Sequence, residues 1–600
     1  MVNILSTYAC GPCRASKVGC DKSRPQCMRC LRKGHSCNYT QQKAYRRPRR
    51  NRVPIACARC RRLKVKCDRQ EPCSRCLKSD RARDCYYLTD SSSADAYSES
   101  KEVVPLYKQT YHSGIHWSGL VENIENLLKH RRWPSNHQHV EHESLFSPTN
   151  NFFGGNGSSF STTRRTLLSY LPPRDVANSF IANYLDIIEP AHEILHVPTF
   201  RRELDAFGER PSTTDDAWLA QLFAVLALGC QLQQQSTSLG QRSNSTLPSL
   251  LFDAARGFLQ RTPFMIRPDM RSIRTLCLLV IFRQTTGLVC LESSALWPVT
   301  GLIVRLAVTI GLHLTVPICG VCSSEPPGTA IKLWAAVILL DLRQSLTAGV
   351  PPLFGTDGTF GDNDHNEEQL PFPAIIYKTL PRIYKILELA TSPQIALSYT
   401  LVAAYDRQIK AFLKNYRNRF VSKTNRFQWS MINVFFRRVL LALHSRLYQE
   451  PDASTRYPVS YWSSLECSLA LLSEQRELYE PTTPAGAAVF FAGLHQHSFF
   501  LAALTVCYHL VQANSPLVSP DSGHRCQSQA RRTILELLKS CRDIWVRVRR
   551  ISVCHETAFN MVDSLLHILE GSENSGRLGS HAGIESCIYF GQWDGVCCIK

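Results

Sequence analysis

Apolar residues recur at helical spacing over most of the chain from about residue 176 onwards, and strand-like alternation is scarce there. Positions three and four apart fall on one face of a helix, so this pattern predicts a helix-rich body that runs to about residue 570. One stretch, 485–511, contains no Asp, Glu, Lys or Arg. It carries three histidines and lacks basic flanks, so we expect a buried core helix and no contact with a membrane.

A shorter amphipathic segment precedes this body. Within SGLVENIENLLKH, residues 118–130, four apolar side chains fall on one helical face: Leu120, Ile124, Leu127 and Leu128. Polar residues dominate on either side, so residues 89–175 are predicted to be a linker that contains one short helix. Two alternatives stay open for the apolar face, which are a contact in a homodimer and packing of a lone helix on the body.

Charge is concentrated at one end of the chain. Residues 1–85 hold 23 Lys and Arg against 5 Asp and Glu, so +18 of the formal net charge of +20 lies there. A concentrated basic segment favours a polyanionic partner, and double-stranded DNA is the first candidate. Within it, KAYRRPRRNR at 43–52 is predicted to be a flexible tether and nuclear import signal; the alternative is a solvated charge run.

The same segment contains a repeated pattern of cysteines. Twelve of the 25 cysteines lie between residues 10 and 85, in two frames of six. The frames also agree at other positions, among them Lys17 with Lys64 and Asp21 with Asp68. The first frame is Cys10, Cys13, Cys20, Cys27, Cys30 and Cys37, and the second is Cys57, Cys60, Cys67, Cys73, Cys76 and Cys85.

Paired CxxC units are typical of either a disulfide framework or metal ligation. The first residues, MVNILSTYACGPC, lack a basic start followed by an apolar run, so we expect a reducing compartment and favour zinc. Two separate tetrahedral zinc ions need eight ligands, and six thiolates supply eight only if two sulfurs bridge. Each frame is therefore predicted to hold a binuclear cluster with two Zn²⁺, which makes four Zn²⁺ in total.

These frames resemble those of the fungal binuclear zinc cluster transcription factors. The resemblance implies that the first and fourth cysteines bridge the two metals, and these are Cys10 and Cys27, then Cys57 and Cys73. It also implies a short helix after the second cysteine, whose end enters the major groove of DNA. The lysine three residues before the third cysteine would then read the guanines of a CGG triplet.

Lys64 holds this reading position in the second frame, and Lys17 holds it in the first. The basic neighbours are expected to contact mainly phosphate: Arg14, Arg61, Arg62 and Lys66. The first frame has Ser16 and Gly19 where the family usually has basic residues. Two alternatives therefore stay open for it, which are contact with bases and contact with only phosphate or another protein.

Four stretches of the body resemble the regulatory middle domain of the same family, which implies an all-helical domain and a small-molecule effector. We expect His196, His313, Phe200, Trp297 and Trp334 to be packing residues. The acidic-basic run that usually precedes the tryptophan is replaced by SSEPPGTAIKLW. The stretches are YLDIIEPAHEILHVPTF (184–200), GLIVRLAVTIGLHL (301–314), IKLWAAVILLDLRQSLTAGVPP (331–352) and RRVLLALHSRLY (437–448).

The predicted fold is mainly α, with two small N-terminal zinc clusters joined by linkers to a large all-helical regulatory domain. The expected divisions are the first cluster at 1–40, a basic linker at 41–56, the second cluster at 57–88, a linker with a short helix at 89–175, the helical domain at 176–570 and a tail at 571–600.

The leading hypothesis is a zinc-dependent, sequence-specific DNA-binding regulator of transcription by RNA polymerase II in a fungal nucleus. One alternative is a protein-interaction scaffold whose clusters bind partners without reading bases. Another is an enzyme that uses the clusters for targeting. We expect no enzymatic activity, on the interpretation that the chain lacks the GxSxG, HExxH and phosphate-loop patterns.

Overall fold

The computed structural model divides the chain into two compact units, Met1–Glu102 and Val103–Lys600. In the residues that it describes, the secondary structure is helical and contains no strand, which confirms the predicted mainly α fold. Those residues are 9–23, 25–37, 57, 59–60, 63, 65–70, 72–79, 85, 113–128, 163–211, 214–237, 246–285, 290–314, 325–326, 328–353, 379–392, 395, 397–417, 426–512, 515–517, 525–549 and 553–575.

Three short helices are described in the first unit, and each contains the second cysteine of a CxxC pair. They are α1 (Gly11–Ala15), α2 (Met28–Arg32) and α3 (Ser74–Lys78). A helix of little more than one turn is unstable by itself, because nucleation fixes several residues for very few hydrogen bonds. These helices therefore depend on what their cysteines bind.

The second unit is built from longer helices. One π-helical turn, Tyr184–Ile188, joins two of them. The helices are α4 (Trp117–Leu127), α5 (Arg164–Leu168), α6 (Arg174–Asn183), α7 (Glu189–His192), α8 (Val197–Glu209), α9 (Asp216–Thr237), α10 (Leu247–Gln260), α11 (Met270–Thr285), α12 (Cys290–Thr309), α13 (Gly328–Ala348), α14 (Leu380–Thr391), α15 (Tyr399–Arg417), α16 (Arg426–Tyr448), α17 (Ala453–Arg456), α18 (Pro458–Leu478), α19 (Ala485–Val511), α20 (Arg525–Val548) and α21 (Val553–Ser575).

Helix α19 lies at the centre of the second unit, where it packs against α4, α9, α11, α18 and α21. Among the described helices, it is the one whose length and composition would also suit a membrane span, yet 78% of its most apolar window is buried in the unit. Phe490, Phe491 and Phe499 are fully buried. A helix that is apolar all round needs neighbours on every side, so the expected core helix is confirmed.

Helix α4 packs its apolar face onto α19, inside the same hydrophobic core. Of the two alternatives for this segment, the structure shows the second, in which the helix packs on the body. The face considered for a dimer contact is therefore occupied within the chain, although Leu127 is 46% exposed. Homodimerisation stays a prediction. The buried residues of this face are Leu120, Val121, Ile124 and Leu128.

Helix α5 likewise comes from the range 89–175 that the sequence pattern assigned to a linker. Its Leu167 is fully buried, and Gly257 of α10 lies against the Leu167 side chain. The core of the second unit thus includes two short helices that are flanked by polar segments. Helix α5 is only five residues long, which is too short for its burial to be read from periodicity.

An ion pair ties the replaced run SSEPPGTAIKLW to the core. Arg274 of α11 is 3% exposed and donates to both carboxylate oxygens of Glu325, at 2.8 and 2.6 Å. Its Nε donates to the carbonyl of Ile194 at 3.1 Å. Burial opposes ionisation of Glu325, but the hydrogen bond and charge of Arg274 lower the pKa of this carboxyl below its usual value. The run therefore keeps a salt bridge, although it differs from the family pattern.

Helices α6 and α9 approach so closely that only glycine fits at their contact. A Cβ on Gly229 of α9 would overlap the backbone carbonyl of Phe180 in α6. We expect Gly229→Ala to cost about 3 kcal/mol or more in the free energy of unfolding, because backbone must move to admit the methyl group. Denaturant unfolding of the full chain, followed by helical circular dichroism, measures this.

Gly119→Ala in α4 is the matched control, because nothing lies within 4 Å of the added Cβ. We expect it to stabilise the protein by about 0.5–1 kcal/mol through helix propensity. Equal effects of the two substitutions would contradict the close contact between α6 and α9.

Candidate metal centres and nucleic-acid interface

Four sulfurs of the first frame form a closed ring. The Sγ atoms of Cys10 and Cys27 are 3.7 Å apart, those of Cys10 and Cys30 are 3.6 Å apart, and those of Cys13 and Cys27 are 3.7 Å apart. The ring closes between Cys13 and Cys30 at 3.9 Å. The backbone N–H of Cys30 also points at the Cys27 sulfur, at 3.4 Å. The start of α2 therefore brings this CxxC pair onto one side of the helix.

The six sulfurs fall into two overlapping groups of four. Within each group all the sulfurs lie within 4.8 Å of one another. Two ions held by these groups would share Cys10 and Cys27, which is the pair that the resemblance implies as bridges. One group is Cys10, Cys13, Cys20 and Cys27, and the other is Cys10, Cys27, Cys30 and Cys37.

These spacings fit zinc. A Zn–S bond of about 2.3 Å gives a tetrahedron whose sulfurs are about 3.8 Å apart. The three sulfur pairs that lie within one group, Cys10–Cys27, Cys10–Cys30 and Cys13–Cys27, measure 3.6–3.7 Å. Desolvation raises the pKa of the Cys10 thiol well above its usual range. A bound cation reverses this tendency, because it stabilises the thiolate directly. Without a cation, this packing of sulfurs disfavours the charged ligands.

The second frame repeats the arrangement. The Sγ atoms of Cys57 lie 3.9 Å from those of both Cys73 and Cys76, and the Sγ atoms of Cys60 and Cys73 are 3.7 Å apart. The backbone N–H of Cys73 donates to the Cys85 sulfur at 3.1 Å. All these pairs match the first frame position for position. The grouping differs in one respect, because the four sulfurs of the second frame that lie within 4.8 Å of one another are those of Cys57, Cys60, Cys73 and Cys76.

An aspartate in each frame caps the helix of the second half. Asp21 accepts from the backbone N–H of Met28 at 3.1 Å and from the Ser23 hydroxyl at 2.5 Å. Asp68 accepts from the backbone N–H of Ser74 at 3.0 Å and from its hydroxyl. These hydrogen bonds, first of all those from the serine hydroxyls, lower the pKa of both carboxyls. Each aspartate therefore holds the two CxxC halves together.

The lysine predicted to read bases follows a tight helix ending in the first frame. Lys17 is exposed and has a left-handed φ of 53°. The N–H of Val18 donates to the carbonyl of Cys13 at 3.0 Å, which is the bond that closes such an ending. In the second frame Val65 donates to Cys60 at the same distance of 3.0 Å. The turn that presents Lys17 is thus a defined structure.

The other predicted DNA contacts are only partly described. Lys66 is exposed. Helix α1 contains the backbone of Arg14, and the side chain of Arg14 lies outside the described part of the structure. Arg61, Arg62 and Lys64 also lie outside the described residues, as does the basic tether 43–52.

The described part of the first unit has almost no core other than sulfur. Among the described residues between 9 and 85, the buried hydrophobic side chains are eight cysteines. Met28, Leu31, Leu63 and Leu77 are about half exposed, at 49%, 57%, 51% and 55%. With so little apolar surface buried, ligation of metal must supply the folding free energy.

Comparison with known families agrees with this geometry. Residues 8–46 and 55–94 match the fungal Zn(2)-Cys(6) binuclear cluster domain. Residues 181–376 match the fungal specific transcription factor domain. The chain therefore contains two fungal Zn(2)-Cys(6) binuclear cluster domains and a fungal specific transcription factor domain. Each cluster domain binds two zinc ions, so this zinc cluster protein binds four.

Several curated proteins are similar to the chain. Transcription factor lepE of Aspergillus flavus is 24% identical over 61% of this chain and 48% of its own length. Zn(2)-C6 fungal-type transcription factor mpsB of Macrophomina phaseolina is 22% identical over 78% of this chain and 67% of its own length. Equisetin cluster transcription factor eqxF of Fusarium heterosporum is 23% identical over 73% and 68%. The chain thus spans about half of lepE and about two thirds of the other two.

The zinc cluster protein also contains HEILH at 192–196, which is an HExxH pattern of the zinc-protease type, so the expectation that this pattern is absent was wrong. On a continuous helix, His192 and His196 would share one face. In the structure α7 ends at His192, Glu193 has a left-handed φ of 49°, and α8 begins after His196. His192 pairs with the carbonyl of Ile188 at 3.1 Å, and His196 pairs with the Thr199 hydroxyl at 2.7 Å. The break removes the helix on which the protease motif depends.

A hydrogen-bonded Ser–His–Asp chain was also missed, because its members are far apart in sequence. His444 of α16 lies 3.0 Å from Asp406 of α15 through Nε2 and 3.0 Å from Ser460 of α18 through Nδ1. Ser463 donates to Asp406 at 2.5 Å. All four residues are less than 5% exposed. A nucleophile must reach its substrate, so we interpret this chain as a brace between three helices.

The sharing of Cys27 between two metal groups predicts a change in zinc content. We expect Cys27→Ser to release both ions of the first cluster, so that about two of four remain, because a bridging sulfur serves both. Metal analysis of the purified full chain measures the zinc content. Cys507→Ser, which changes a fully buried cysteine of α19, is the control and should retain four. Retention of three ions by Cys27→Ser would show that Cys27 serves one ion.

The brace between the three helices predicts a pH effect. Burial opposes ionisation of Asp406, but hydrogen bonds from His444 and Ser463 hold its pKa below the usual value. This carboxylate therefore stabilises the fold above the ordinary Asp pKa of about 4, and the contribution is lost as pH falls through the lower folded pKa. We expect Asp406→Asn to cost about 2 kcal/mol at neutral pH and less in acid.

Denaturant unfolding of wild type and Asp406→Asn between neutral and acidic pH measures whether the difference in their unfolding free energies becomes smaller in acid. Asp186→Asn, at an exposed carboxylate, is the control and should leave the pH profile unchanged. A constant difference between Asp406→Asn and the wild type at every pH would mean that the ionised form contributes no stability.

Proposed function

We propose that the chain is a zinc-dependent, sequence-specific DNA-binding transcription factor that regulates RNA polymerase II transcription and reads CGG-type triplets. The observation that carries this proposal is the pair of matching sulfur clusters within the most basic part of the chain. Lys64 is the proposed base-reading residue of the second cluster, and Lys17 has the same role in the first. Arg14, Arg61, Arg62 and Lys66 are proposed to contact phosphate.

The presentation of Lys17 supports this role. A left-handed residue at the end of α1 directs an exposed, flexible cation away from the cluster. Lysine donates hydrogen bonds only, and guanine offers two acceptors in the major groove. A lysine at this place can therefore discriminate guanine from the other bases.

Electrostatics supports DNA as the partner. Two Zn²⁺ and six thiolates carry a charge of −2 per cluster, so residues 1–85 keep about +14 when loaded. Release of counterions from DNA would then supply much of the affinity and make it steeply dependent on salt.

The distance between the clusters allows one chain to contact two triplets. The 20 residue steps from Cys37 to Cys57 extend to at most about 70 Å, and as a flexible coil they span about 25 Å. One turn of duplex is about 34 Å.

We propose that the partners also include a second copy of the chain and a small-molecule effector of the helical unit, and that the protein acts in the nucleus.

One observation favours a second candidate function, a protein-interaction scaffold. Leu31 and Leu77 hold equivalent positions and are 57% and 55% exposed. Exposed apolar residues beside a rigid cluster are suited to a protein contact. A scaffold of this kind would bind its partners without base-specific recognition of DNA.

A binding selection on random duplex DNA with the full zinc-loaded chain tests the proposed function. We expect wild type to enrich CGG-like triplets. Lys64→Ala should lose about 1–3 kcal/mol of binding free energy and relax the preference within a triplet. Lys66→Ala should weaken binding evenly across sequences and reduce the salt dependence by about one phosphate contact.

Lys17→Ala addresses the first cluster in the same selection. If it removes one of two enriched triplets, the first cluster reads bases. An unchanged preference in Lys64→Ala would overturn the assigned role of Lys64. Selection of no sequence by wild type would favour the scaffold.

A further inference from the structure

A polar cavity lies inside the helical unit where α11, α13, α16 and α19 meet. Its volume is about 40 Å³. A cavity needs about 10–15 Å³ by this measure to hold one water, so the space suits about three waters or one small oxyanion. The lining includes two arginines, two histidines and two glutamines and contains no Asp or Glu. These six residues are Gln284, Arg343, Gln344, Arg438, His495 and His497.

Both arginines are bonded on one side and unpaired on the other. Arg438 is 6% exposed, and its Nη2 donates to the carbonyls of Ile115 and Leu346, each at 2.8 Å. Nη2 of Arg343 donates to the carbonyl of Leu494 at 3.2 Å. The Nη1 atoms of both arginines are buried without a hydrogen-bond partner. A buried guanidinium without a counter-charge is costly, so these two atoms are available to an anion.

Three further lining residues carry buried, unpaired polar atoms. They are Oε1 of Gln284, Oε1 of Gln344, which is 2% exposed, and Nε2 of His495, which is 4% exposed. Amide side chains can present either N–H or C=O after a flip, and the Nε2 of a neutral histidine can donate. Both glutamines would therefore need flipped amides to donate to an anion, whereas His495 would donate as its Nε2–H tautomer.

The electrostatic potential in the cavity is positive. Burial, and after it the charge of Arg343, hold the pKa of His495 well below its usual value. Burial, and after it the charge of Arg438, lower the pKa of His497 to about 4. The histidines are therefore neutral at physiological pH, and the positive charge of the cavity comes from the arginines.

We propose that this cavity binds an oxyanion, either a free inorganic ion or the acidic head group of a small metabolite, through Arg343 and Arg438. This names the chemical class of the effector proposed above. It rests on the proposed function only for its biological consequence. Phosphate, sulfate and carboxylate each present at least two oxygens, so the free Nη1 of Arg343 and the free Nη1 of Arg438 would each donate to one anion.

The site also contacts the segment that follows the zinc unit in sequence. Arg438 holds the carbonyl of Ile115, and the N–H of Ser113 donates to the carbonyl of Gly349 at 2.9 Å. Gly349 has a φ of +67°, and a Cβ there would lie 2.9 Å from the Cβ of His116. An anion on Arg438 would thus bind one side of a guanidinium whose other side anchors residues 113–116.

Hydrogen exchange measured by mass spectrometry on the full zinc-loaded chain tests the site directly. The probes are inorganic phosphate, sulfate and malonate at millimolar concentration and constant ionic strength, with chloride as the reference salt. We expect at least one probe to protect peptides of α13, α16 and α19 around the cavity. Protection by phosphate or sulfate alone indicates a free inorganic ion, and protection by malonate indicates a carboxylate head group.

Two variants on one helix distinguish the effect of losing a cavity arginine from the effect of losing any arginine of that helix. Arg438→Met should raise the apparent dissociation constant of the anion, read from protection against exchange, about 30-fold or more. Arg446→Met is the matched control on α16, because Arg446 binds the carbonyls of Leu389, Ser392 and Ile395 and does not line the cavity. It should keep the affinity of wild type.

A third variant distinguishes loss of anion binding from loss of stability. Gln344→Leu removes a buried, unpaired amide, so its melting temperature without anion should equal or exceed that of wild type. Its affinity for the anion should nevertheless fall. Absence of cavity protection with every probe, or unchanged affinity in Arg438→Met, would overturn the proposal. Because no DNA is present, either result is distinguishable from failure of DNA binding.

Discussion

Zinc–thiolate bonding is the constraint on which the first unit depends. Its described helices are only five residues long, and the buried hydrophobic side chains among its described residues are cysteines. Neither helix propensity nor apolar burial can hold such a chain folded, so the metal must organise both halves of each cluster. The aspartate caps at Asp21 and Asp68 then fix the second helix relative to the metal. The position of the exposed Lys17, which follows α1, is therefore set by the same cluster.

The helical unit is governed by burial, and its polar residues follow two different patterns. Asp406, His444 and Ser463 satisfy one another, and Arg274 satisfies Glu325 in a bidentate pair. These groups need no further partner and act as braces. Arg343 and Arg438 satisfy only half of each guanidinium and direct the other half at a shared space. The second pattern is the one expected of a binding site, because the missing partner has an opposite charge and a place to bind.

Sequence motifs and spatial constellations diverge in this protein. HEILH matches a catalytic pattern in letters, but a left-handed residue at Glu193 breaks the helix that would bring its histidines together. Ser460, His444 and Asp406 form a triad-like chain in space that no local pattern announces, yet burial keeps it from any substrate. Geometry and access therefore decide chemistry, and the letters alone do not.

The sequence by itself determined the zinc clusters and the helical class of the body. Cysteine spacing is a local property, and the count of six sulfurs for two tetrahedral ions leaves sharing as the solution. Periodicity likewise predicts helices, because the apolar stripe is set within a few turns. The spacing also identified the repeat, including the paired lysines and aspartates. Family resemblance added which sulfurs bridge.

Only the tertiary structure decided which residues from distant parts of the chain meet. The face of α4 packs on α19, Glu325 pairs with Arg274, and Arg343 and Arg438 face one cavity. Each of these contacts joins segments of the chain that are separated by tens or hundreds of residues. Their positions depend on how helices cross, which no local pattern encodes. A buried arginine reads in sequence like a surface arginine, and only packing reveals which of its nitrogens has no partner.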